Sequence, residues 1–403
     1  MHGPSTPADT ARKLRVPIAR PWFGEEELRA VQQPLEDQWV VQGPHVGAFE
    51  SDFARFTGAA HAVATTSCTT ALHLGVLILG LKDGDEVIVP AFTWVSSANV
   101  IEYERATPVF CDVDLATFNL DPARLETLIT PKTVGIVAVH LFGLCADMRA
   151  INEIAGRHGL WVLEDAACAF GAWQDGQHAG TLGDLGAFSF HPRKSITTGE
   201  GGMLTAGSAE HDKLARELRD HGADRTDMDR HTGRGGFLLA DYTHLGFNYR
   251  MTDIQGALGC AQLARAEWIL GERRRLAQRY ETLLGDVDWL ATPQVPDSDV
   301  HGWQSYVTLF APEPPRLDGC ADLHERRNRL MWRLEDRGIA TRQGTHAPVL
   351  TRFYSERYGF DETSFPNATM AERLAIALPL YAGLSDDDQD LVVEELRSAY
   401  RTV

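Results

Sequence analysis

The sequence has 403 residues, of which 44% are apolar, and it carries a formal net charge of −18. A chain of this length predicts two or three structural units around a large core. The acidic balance argues against a nucleic-acid surface, which needs clustered lysine and arginine. No stretch approaches the roughly 18 apolar residues of a membrane span, and residues 1–20 lack the apolar core of a signal peptide. We therefore expect a cytoplasmic protein without a nucleic-acid or membrane partner.

The cysteines argue against disulfide and metal sites. None forms a CxxC pair, and they lie mostly in apolar runs, at positions 68, 111, 145, 168, 260 and 320. This distribution predicts reduced thiols. The sequence has no HExxH motif or similar pair of histidines, so we expect no metal.

Strands and helices are predicted to alternate from residue 61 onward, after a polar N-terminal arm at 1–21 and two short helices. The predicted helices are 25–35, 46–56, 71–81, 96–103, 122–129 and 148–158. The predicted strands are 61–65, 86–89, 108–113, 134–139 and 161–163. This alternation predicts an α/β fold with a mainly parallel sheet covered by helices on both sides. Active residues should then gather at the strand ends.

The pattern of predicted helices and strands in the second half of the chain indicates a change of domain. Helices are predicted at 209–218, 252–263 and 267–284, and the polar segment 220–243 has no assignable pattern. A loop of that length is usually functional or mobile. We predict a large domain over 22–265 and a smaller C-terminal α+β domain over 266–403. The latter has a strand at 303–310, a helix at 323–337 and a last helix that is capped by Ser385, with Asp388 three residues on.

Lys194 is the first candidate for chemistry. It lies between Ser189 and the turn residues 197–202, and a lysine amine can condense with an aldehyde. Ser189 could hold an anion nearby. The alternative is a surface lysine before a glycine-rich turn.

Other candidates lie where predicted strands end. Residues 67–70 join a strand to a helix, where free backbone N–H groups bind anions, and the hydroxyls of Thr69 and Ser189 could help to hold a phosphate. The alternative is an ordinary N-cap. Asp165 ends a buried strand and needs a partner, either a protonated pyridine nitrogen or an arginine, unless it is a cap.

Two further segments supply an aromatic ring and an amide. Trp94 follows a strand and could stack on a flat ring, although a lone tryptophan more often lies in a core. Asn248 and Arg250 stand just before a predicted helix, where a turn with a cap is the alternative. An amine, a carboxylate, a phosphate cup and a stacking ring are together what pyridoxal 5'-phosphate needs.

The chain also resembles a known family. The order of its segments and the residues within them resemble those of the DegT/DnrJ/EryC1/StrS sugar aminotransferases, a branch of the aspartate aminotransferase-like (fold type I) superfamily. The matching segments are 67–72, 89–98, 139–148, 164–169, 188–202, 245–263, 344–346 and 377–381. The resemblance covers the chain from about Pro17 onward.

The resemblance implies roles for individual residues. Lys194 matches the lysine that binds the cofactor's aldehyde, and Asp165 matches the carboxylate that pairs with its ring nitrogen. Trp94 matches the stacking aromatic residue. The residues that match the phosphate cup are Cys68, Thr69 and Ser189. Asn248 matches an asparagine that reaches the phosphate from the neighbouring subunit, which implies a homodimer with shared sites.

The sequence departs from the family's pattern at two cysteines. Cys68 stands where the family usually has a small residue such as glycine, and a backbone N–H contact survives that change. Cys168 stands where the family has glutamine or histidine, whose side chain contacts the cofactor's ring oxygen. A thiol is a poor substitute, so Cys168 is given no role.

The implied activity is amino transfer from glutamate or glutamine to a keto sugar, a nucleotide-linked 4-keto-6-deoxyhexose, in amino-sugar biosynthesis. Lys194, when free, would act as general acid–base. Burial and a neighbouring positive charge are expected to lower its pKa. An aminocyclitol aminotransferase and a non-catalytic, cofactor-binding regulator remain alternatives. A sugar 3-dehydratase of the same family would have histidine in place of Lys194.

Overall fold

The computed structural model describes residues 14–225 and 239–403. Most of the predicted N-terminal arm and the middle of the 220–243 segment lie outside the described residues.

The helices and strands of the described residues follow the predicted alternation. The helices are α1 (Glu25–Glu36), α2 (Pro44–Thr57), α3 (Cys68–Ile78), α4 (Ser96–Tyr103), α5 (Leu125–Leu128), α6 (Met148–His158), α7 (Ala209–Arg219), α8 (Asp253–Ala264), α9 (Ala266–Leu284), α10 (Cys320–Asp336), α11 (Arg352–Tyr358), α12 (Pro366–Leu374) and α13 (Asp386–Tyr400). The strands are β1 (His61–Thr65), β2 (Glu86–Pro90), β3 (Thr107–Cys111), β4 (Thr133–Val139), β5 (Trp161–Asp165), β6 (Trp173–Gln174), β7 (Gln177–His178), β8 (Leu185–Ser189), β9 (Gly202–Ala206), β10 (Leu290–Ala291), β11 (Asp299–Val300), β12 (Tyr306–Phe310) and β13 (Ala375–Leu378).

The central sheet has seven strands in the order β1-β9-β8-β5-β4-β2-β3. The ladders that join β3, β2, β4, β5 and β8 are parallel, whereas β9 runs antiparallel to both of its neighbours. Helix α3 packs against β8 and β9, and α6 packs against β4 and β5. The prediction of an α/β fold with a mainly parallel sheet is confirmed.

Close packing between β4 and β5 explains why position 135 is a glycine. Gly135 pairs with Trp161 across the ladder, and a Cβ atom at position 135 would lie 2.1 Å from the indole. Only glycine leaves room for this ring, because a contact that short would force a backbone shift. The two strands can therefore stay in register up to Asp165, at the carboxyl end of β5.

Several predicted boundaries agree with the structure. The bounds of β1, α4 and α6 match, and Ser385 caps α13 by accepting a hydrogen bond of 3.1 Å from the backbone N–H of Asp388. The strand predicted at 303–310 begins three residues later, at Tyr306. Strands β8 and β9 on either side of Lys194 were not predicted. They are short and contain glycine and alanine, so no hydrophobic period marks them.

The C-terminal part contains a second, antiparallel sheet in the order β10-β12-β13. Helix α10 packs against α12 and α13 beside it. Val16 is fully buried here, and its backbone pairs with Ile339, so residues 15–18 lie against the C-terminal part. Helix α9 begins next to the predicted domain boundary at 265, and the division itself stays a prediction.

The described flanks of the 220–243 segment form a paired stem, which the sequence did not predict. Ala223 forms a bridge with Tyr242, and the backbone N–H of Thr243 donates to the carbonyl of Gly222 at 2.9 Å. This antiparallel pairing holds the two ends of the segment together. Among the described helices, none has the length and apolar character that a bilayer crossing requires.

Candidate active site

The candidate residues come together at one edge of the central sheet. Strands β2, β4, β5 and β8 are mutually parallel, so their carboxyl ends meet at that edge. Trp94 follows β2, Asp165 ends β5 and Lys194 follows β8.

Asp165 is 4% exposed and lies in a hydrogen-bonded network. Its Oδ2 accepts a hydrogen bond of 2.6 Å from the hydroxyl of Ser97. Its Oδ1 accepts from the backbone N–H of Ala167 at 3.2 Å and from the thiol of Cys68 at 3.9 Å. No arginine or lysine forms an ion pair with this carboxylate within residues 14–225 and 239–403. A carboxylate has about four acceptor positions, so capacity remains for one more donor.

Lys194 lies in a loop that is closed by internal hydrogen bonds. The hydroxyl of Thr197 and the backbone N–H of Thr198 both donate to the carbonyl of Phe190, at 2.7 and 3.0 Å. Gly199 has φ +82°, a conformation that favours glycine. The Nζ of Lys194 donates to the Sγ of Cys168 at 3.0 Å.

The electrostatic surroundings of Lys194 differ from the expected ones. Burial lowers the pKa of Lys194, but the sulfur of Cys168 raises it through charge and hydrogen bonding. Cys68 and Asp165 raise it further, so the pKa of Lys194 lies above its ordinary value. The expectation of a lowered pKa is wrong, because the acidic groups around the amine raise its pKa by more than burial lowers it. Cys168, which was given no role, is a direct neighbour of the amine.

The N-terminus of α3 offers free hydrogen-bonding groups. Ser67 is the N-cap, and its hydroxyl accepts from the backbone N–H of Thr70 at 3.2 Å, while the hydroxyl of Thr70 is bonded to Ser67 in return. Within the described residues, the hydroxyl of Thr69 makes no hydrogen bond, so it remains available. A Cβ atom at Gly202 would lie 2.3 Å from the backbone of Ser67, so glycine lets β9 approach this loop.

Two hydroxyls close to Lys194 in the sequence have unused hydrogen-bonding capacity. Ser189 ends β8, and its Oγ accepts only a long bond of 3.4 Å, from the backbone N–H of His191. Ser195 is 8% exposed, and its buried Oγ has no partner among the described residues. An unpaired buried hydroxyl is costly unless a bound group satisfies it. These donors, the open carboxylate and the amine fit a flat, anionic cofactor that carries an aldehyde.

Trp94 is 52% exposed and is therefore not the core tryptophan of the alternative interpretation. One neighbour is His346, whose ring centroid lies 5.6 Å away. The backbone N–H of Thr93 donates to the carbonyl of His346 at 3.0 Å, which ties residues 344–346 to the end of β2. A flat ring could therefore stack on the accessible part of the indole.

Asn248 is exposed, and no described contact joins its side chain to the cluster around Lys194 in the same chain. Its backbone pairs with Asp220, and the next carbonyl, that of Tyr249, accepts from the N–H of Thr66 at 3.0 Å. The segment thus lies against the loop before α3 while the amide side chain stays outside. Arg250 forms an ion pair with Asp220.

Sequence reasoning missed Ser97 and Ser195. Ser97 lies in the first turn of the helix after β2, and its place at the carboxyl edge of the sheet was the signal that could have identified it. Ser195 directly follows Lys194, but its lack of a partner can be seen only in the structure.

Comparison with known proteins gives a consistent family. The DegT/DnrJ/EryC1/StrS aminotransferase family matches residues 21–397. The spore coat polysaccharide biosynthesis protein SpsC of Bacillus subtilis is 38% identical over 383 residues, covering 95% of this chain and 96% of that protein.

Solved structures agree with this assignment. The aminotransferase TlmJ of Streptoalloteichus hindustanus has 32% identity and a TM-score of 0.85, with 96% of this chain and 99% of that chain covered. Spr1654 of Streptococcus pneumoniae, in its PMP form, has 29% identity and a TM-score of 0.88 over the same shares, and it has also been solved in a PLP form. The chain therefore belongs to the DegT/DnrJ/EryC1/StrS aminotransferase family and is a pyridoxal-phosphate-dependent aminotransferase.

Proposed function

We propose that the chain transfers an amino group from glutamate or glutamine to a keto sugar, a nucleotide-linked 4-keto-6-deoxyhexose, in amino-sugar biosynthesis. The observation that carries the amino transfer is the joint position of the Lys194 amine and the buried Asp165 carboxylate at the carboxyl edge of the sheet. The name of SpsC, a polysaccharide biosynthesis protein, supports a sugar as the acceptor.

In this proposal each candidate residue holds one part of pyridoxal phosphate. Asp165 receives the ring nitrogen, Trp94 receives a ring face and Lys194 receives the aldehyde. The N-terminus of α3 would hold the phosphate, through the backbone N–H of Cys68 and the hydroxyls of Thr69 and Ser189. When bound, the cofactor supplies an electron sink and carries the amino group between the two substrates.

The protein's own part in the chemistry is to hold and move protons. Asp165, fixed by the hydrogen bond from Ser97, would keep a proton on the ring nitrogen of the bound cofactor. Lys194, once released, gives and takes protons at its Nζ. Its raised pKa favours the protonated amine at neutral pH, so Lys194 is ready to donate a proton and must lose one before it acts as a base.

The proposed site is shared between two copies of the chain. Asn248 is exposed and lies outside the cluster of its own chain, which suits a side chain that reaches the phosphate of a partner. Reduced thiols at all six cysteines fit a cytoplasmic enzyme.

A panel of ketones tests the substrate class. Nucleotide-linked 4-keto-6-deoxyhexoses, free keto sugars and cyclitol ketones would each be incubated with the protein and glutamate or glutamine, and the amino product would be identified by mass spectrometry. The proposal expects turnover of a nucleotide-linked keto sugar and none by Lys194→Ala. Turnover of a cyclitol ketone alone would support the aminocyclitol alternative. Full cofactor loading without turnover of any ketone would support the alternative of a non-catalytic, cofactor-binding regulator.

A further inference from the structure

We propose that Cys168 and Lys194 form a peroxide-sensitive pair, in which oxidation of the thiol links its sulfur covalently to the lysine nitrogen and a thiol reductant reverses the link. The contact that carries this inference is the distance of 3.0 Å between Cys168 Sγ and Lys194 Nζ.

The geometry already brings the two atoms together. Cys168 lies in the turn after β5, where the backbone N–H of Ala169 donates to the carbonyl of Ala166 at 2.9 Å. Lys194 lies in the loop that Thr197 and Thr198 close. Both backbone segments are held, so only the flexible stem of the lysine has to move for a bond to form.

The chemistry balances with hydrogen peroxide as the oxidant. Peroxide oxidises the thiol to a sulfenic acid by two electrons and leaves as water. The Lys194 ammonium first gives up one proton to solvent. Its nitrogen then attacks the sulfur, an S–N bond forms, and the sulfenic hydroxyl leaves as a second water with a proton from the nitrogen. Two molecules of a thiol reductant return the thiol and the amine and become one disulfide.

The remaining cysteines are less suited to this reaction. Burial raises the pKa of five thiols and so keeps them in the unreactive protonated form: Cys68, Cys111, Cys145, Cys260 and Cys320. Cys68 also lies in the site, but it is 8% exposed and points to Asp165. Cys168 is half-buried and has the amine as its neighbour.

The link has a consequence that rests on the proposed function. Lys194 is the residue proposed to receive the cofactor's aldehyde, so a nitrogen bonded to sulfur could not bind it. Oxidation would then block loading of the protein without cofactor, while cofactor already held by Lys194 would protect the pair. The covalent link itself does not depend on that role, so the experiment can contradict the link and the cofactor-binding role of Lys194 separately.

The test treats the full-length chain with hydrogen peroxide, with and without prior loading of pyridoxal phosphate, and maps tryptic peptides by mass spectrometry. We expect cleavage after Lys194 to be lost in the unloaded protein. A joined pair of peptides that contain Cys168 and Lys194 should appear, with two hydrogens fewer than the separate peptides. Dithiothreitol should restore both peptides. Cofactor reloading, followed by absorbance, should fall by most of its amplitude after oxidation and return after reduction.

Two variants control the assignment. Cys168→Ser and Lys194→Arg should each give no joined peptides, and circular dichroism would verify that both are folded. Oxidation of Cys168 to a sulfinic or sulfonic acid with cleavage after Lys194 intact would overturn the proposal. A disulfide between Cys68 and Cys168 in place of the link would overturn it as well. A link that forms without loss of cofactor reloading would keep the proposal and contradict the role of Lys194.

Discussion

The hydroxyl of Ser97 donates a hydrogen bond of 2.6 Å to the Oδ2 of Asp165, 68 residues further along the chain. Both side chains are buried, and hydrogen bonds to a charged acceptor are stronger than neutral ones. Ser97 also bonds the hydroxyl of Thr93 at 3.0 Å, one residue before Trp94. One small network therefore positions the proposed partner of the ring nitrogen and the proposed stacking residue together.

Ser97→Ala should lower kcat/KM while the fold is kept. Loss of a hydrogen bond to a charged group costs about 1.5–3 kcal/mol, which corresponds to a fall of roughly 10- to 100-fold. The measurement is kcat/KM together with the cofactor dissociation constant. Ser96→Ala is the matched control, because Ser96 is a buried neighbour that makes no described bond to Asp165. Equal effects of the two substitutions would contradict the role of Ser97 in positioning Asp165.

Asp165→Asn should keep most of the cofactor but lose turnover. The amide has nearly the same shape, but it could not hold a proton on the ring nitrogen that Asp165 is proposed to bind. The expected fall in kcat is roughly 10²- to 10³-fold, as for removal of other preorganised electrostatic partners. Cofactor occupancy from absorbance and kcat should be measured on the same preparation. Near-normal turnover at full occupancy would refute the role of Asp165.

Reduction with borohydride should fix the cofactor on Lys194. The prediction follows from the position of the Lys194 amine among Cys168, Cys68 and Asp165. After reduction and digestion, the labelled peptide should contain Lys194, and Lys194→Ala should carry no label. Lys213 is a control, because its side chain is 78% exposed and pairs with Glu217 on the surface. Label at Lys213 or at another lysine would refute the assignment.

The sequence allowed much of the fold to be predicted, because the strands of a parallel sheet are apolar on both faces. Strand β4 was predicted within one residue for this reason. Strands β8 and β9 were missed, because their small residues hide the hydrophobic pattern. Glycine at position 202 nevertheless lets β9 approach the backbone of Ser67 closely.

The site was predictable only in part. Strand ends and the family resemblance indicated Lys194, Asp165 and Trp94, which the structure does bring to one edge of the sheet. Contacts between distant segments, such as that of Ser97 with Asp165, leave no local pattern. The direction of the Lys194 pKa shift was predicted wrongly, because it depends on which charges surround the amine in space.

Glu50→Gln should lower the free energy of unfolding at neutral pH. Glu50 is buried and pairs with Arg219 at 2.5 Å and with Arg216 at 2.7 Å. Removal of one partner of a buried ion pair costs about 3 kcal/mol, since the other charge stays uncompensated. The control is Glu25→Gln, whose side chain is 77% exposed and should change stability by less than about 1 kcal/mol.

The effect of Glu50→Gln should depend on pH. Burial raises the pKa of Glu50, but Arg219 and Arg216 lower it by more, so the net pKa lies below 4.5. A carboxylate whose pKa is lowered by folding stabilises the folded protein when the pH is above its pKa in the unfolded chain. It loses this effect as the pH falls through its pKa in the folded protein. Urea denaturation should therefore show the full difference at pH 7 and a smaller one below pH 4.5. A constant difference across this range would contradict the ion-pair explanation.

Mixed dimers should recover activity if Asn248 completes the site of a partner chain. Asn248 lies outside the cluster around Lys194 in its own chain, so Lys194→Ala and Asn248→Ala would damage different sites of a mixed dimer. One site would carry both lesions and the other would be intact, which gives about half of the activity of a native dimer per mixed dimer. Cofactor affinity should also rise with dimer formation, because a monomer would lack one wall of its phosphate cup.

The control for this experiment pairs Lys194→Ala with Asp165→Asn. These two side chains interact within one chain, so each site of that mixed dimer carries one lesion and no activity should return. Each variant alone must be inactive, and native mass spectrometry must verify that mixed dimers form. Recovery with Asn248→Ala but not with Asp165→Asn would establish a shared site. No recovery with either pair would mean that each chain builds its own site.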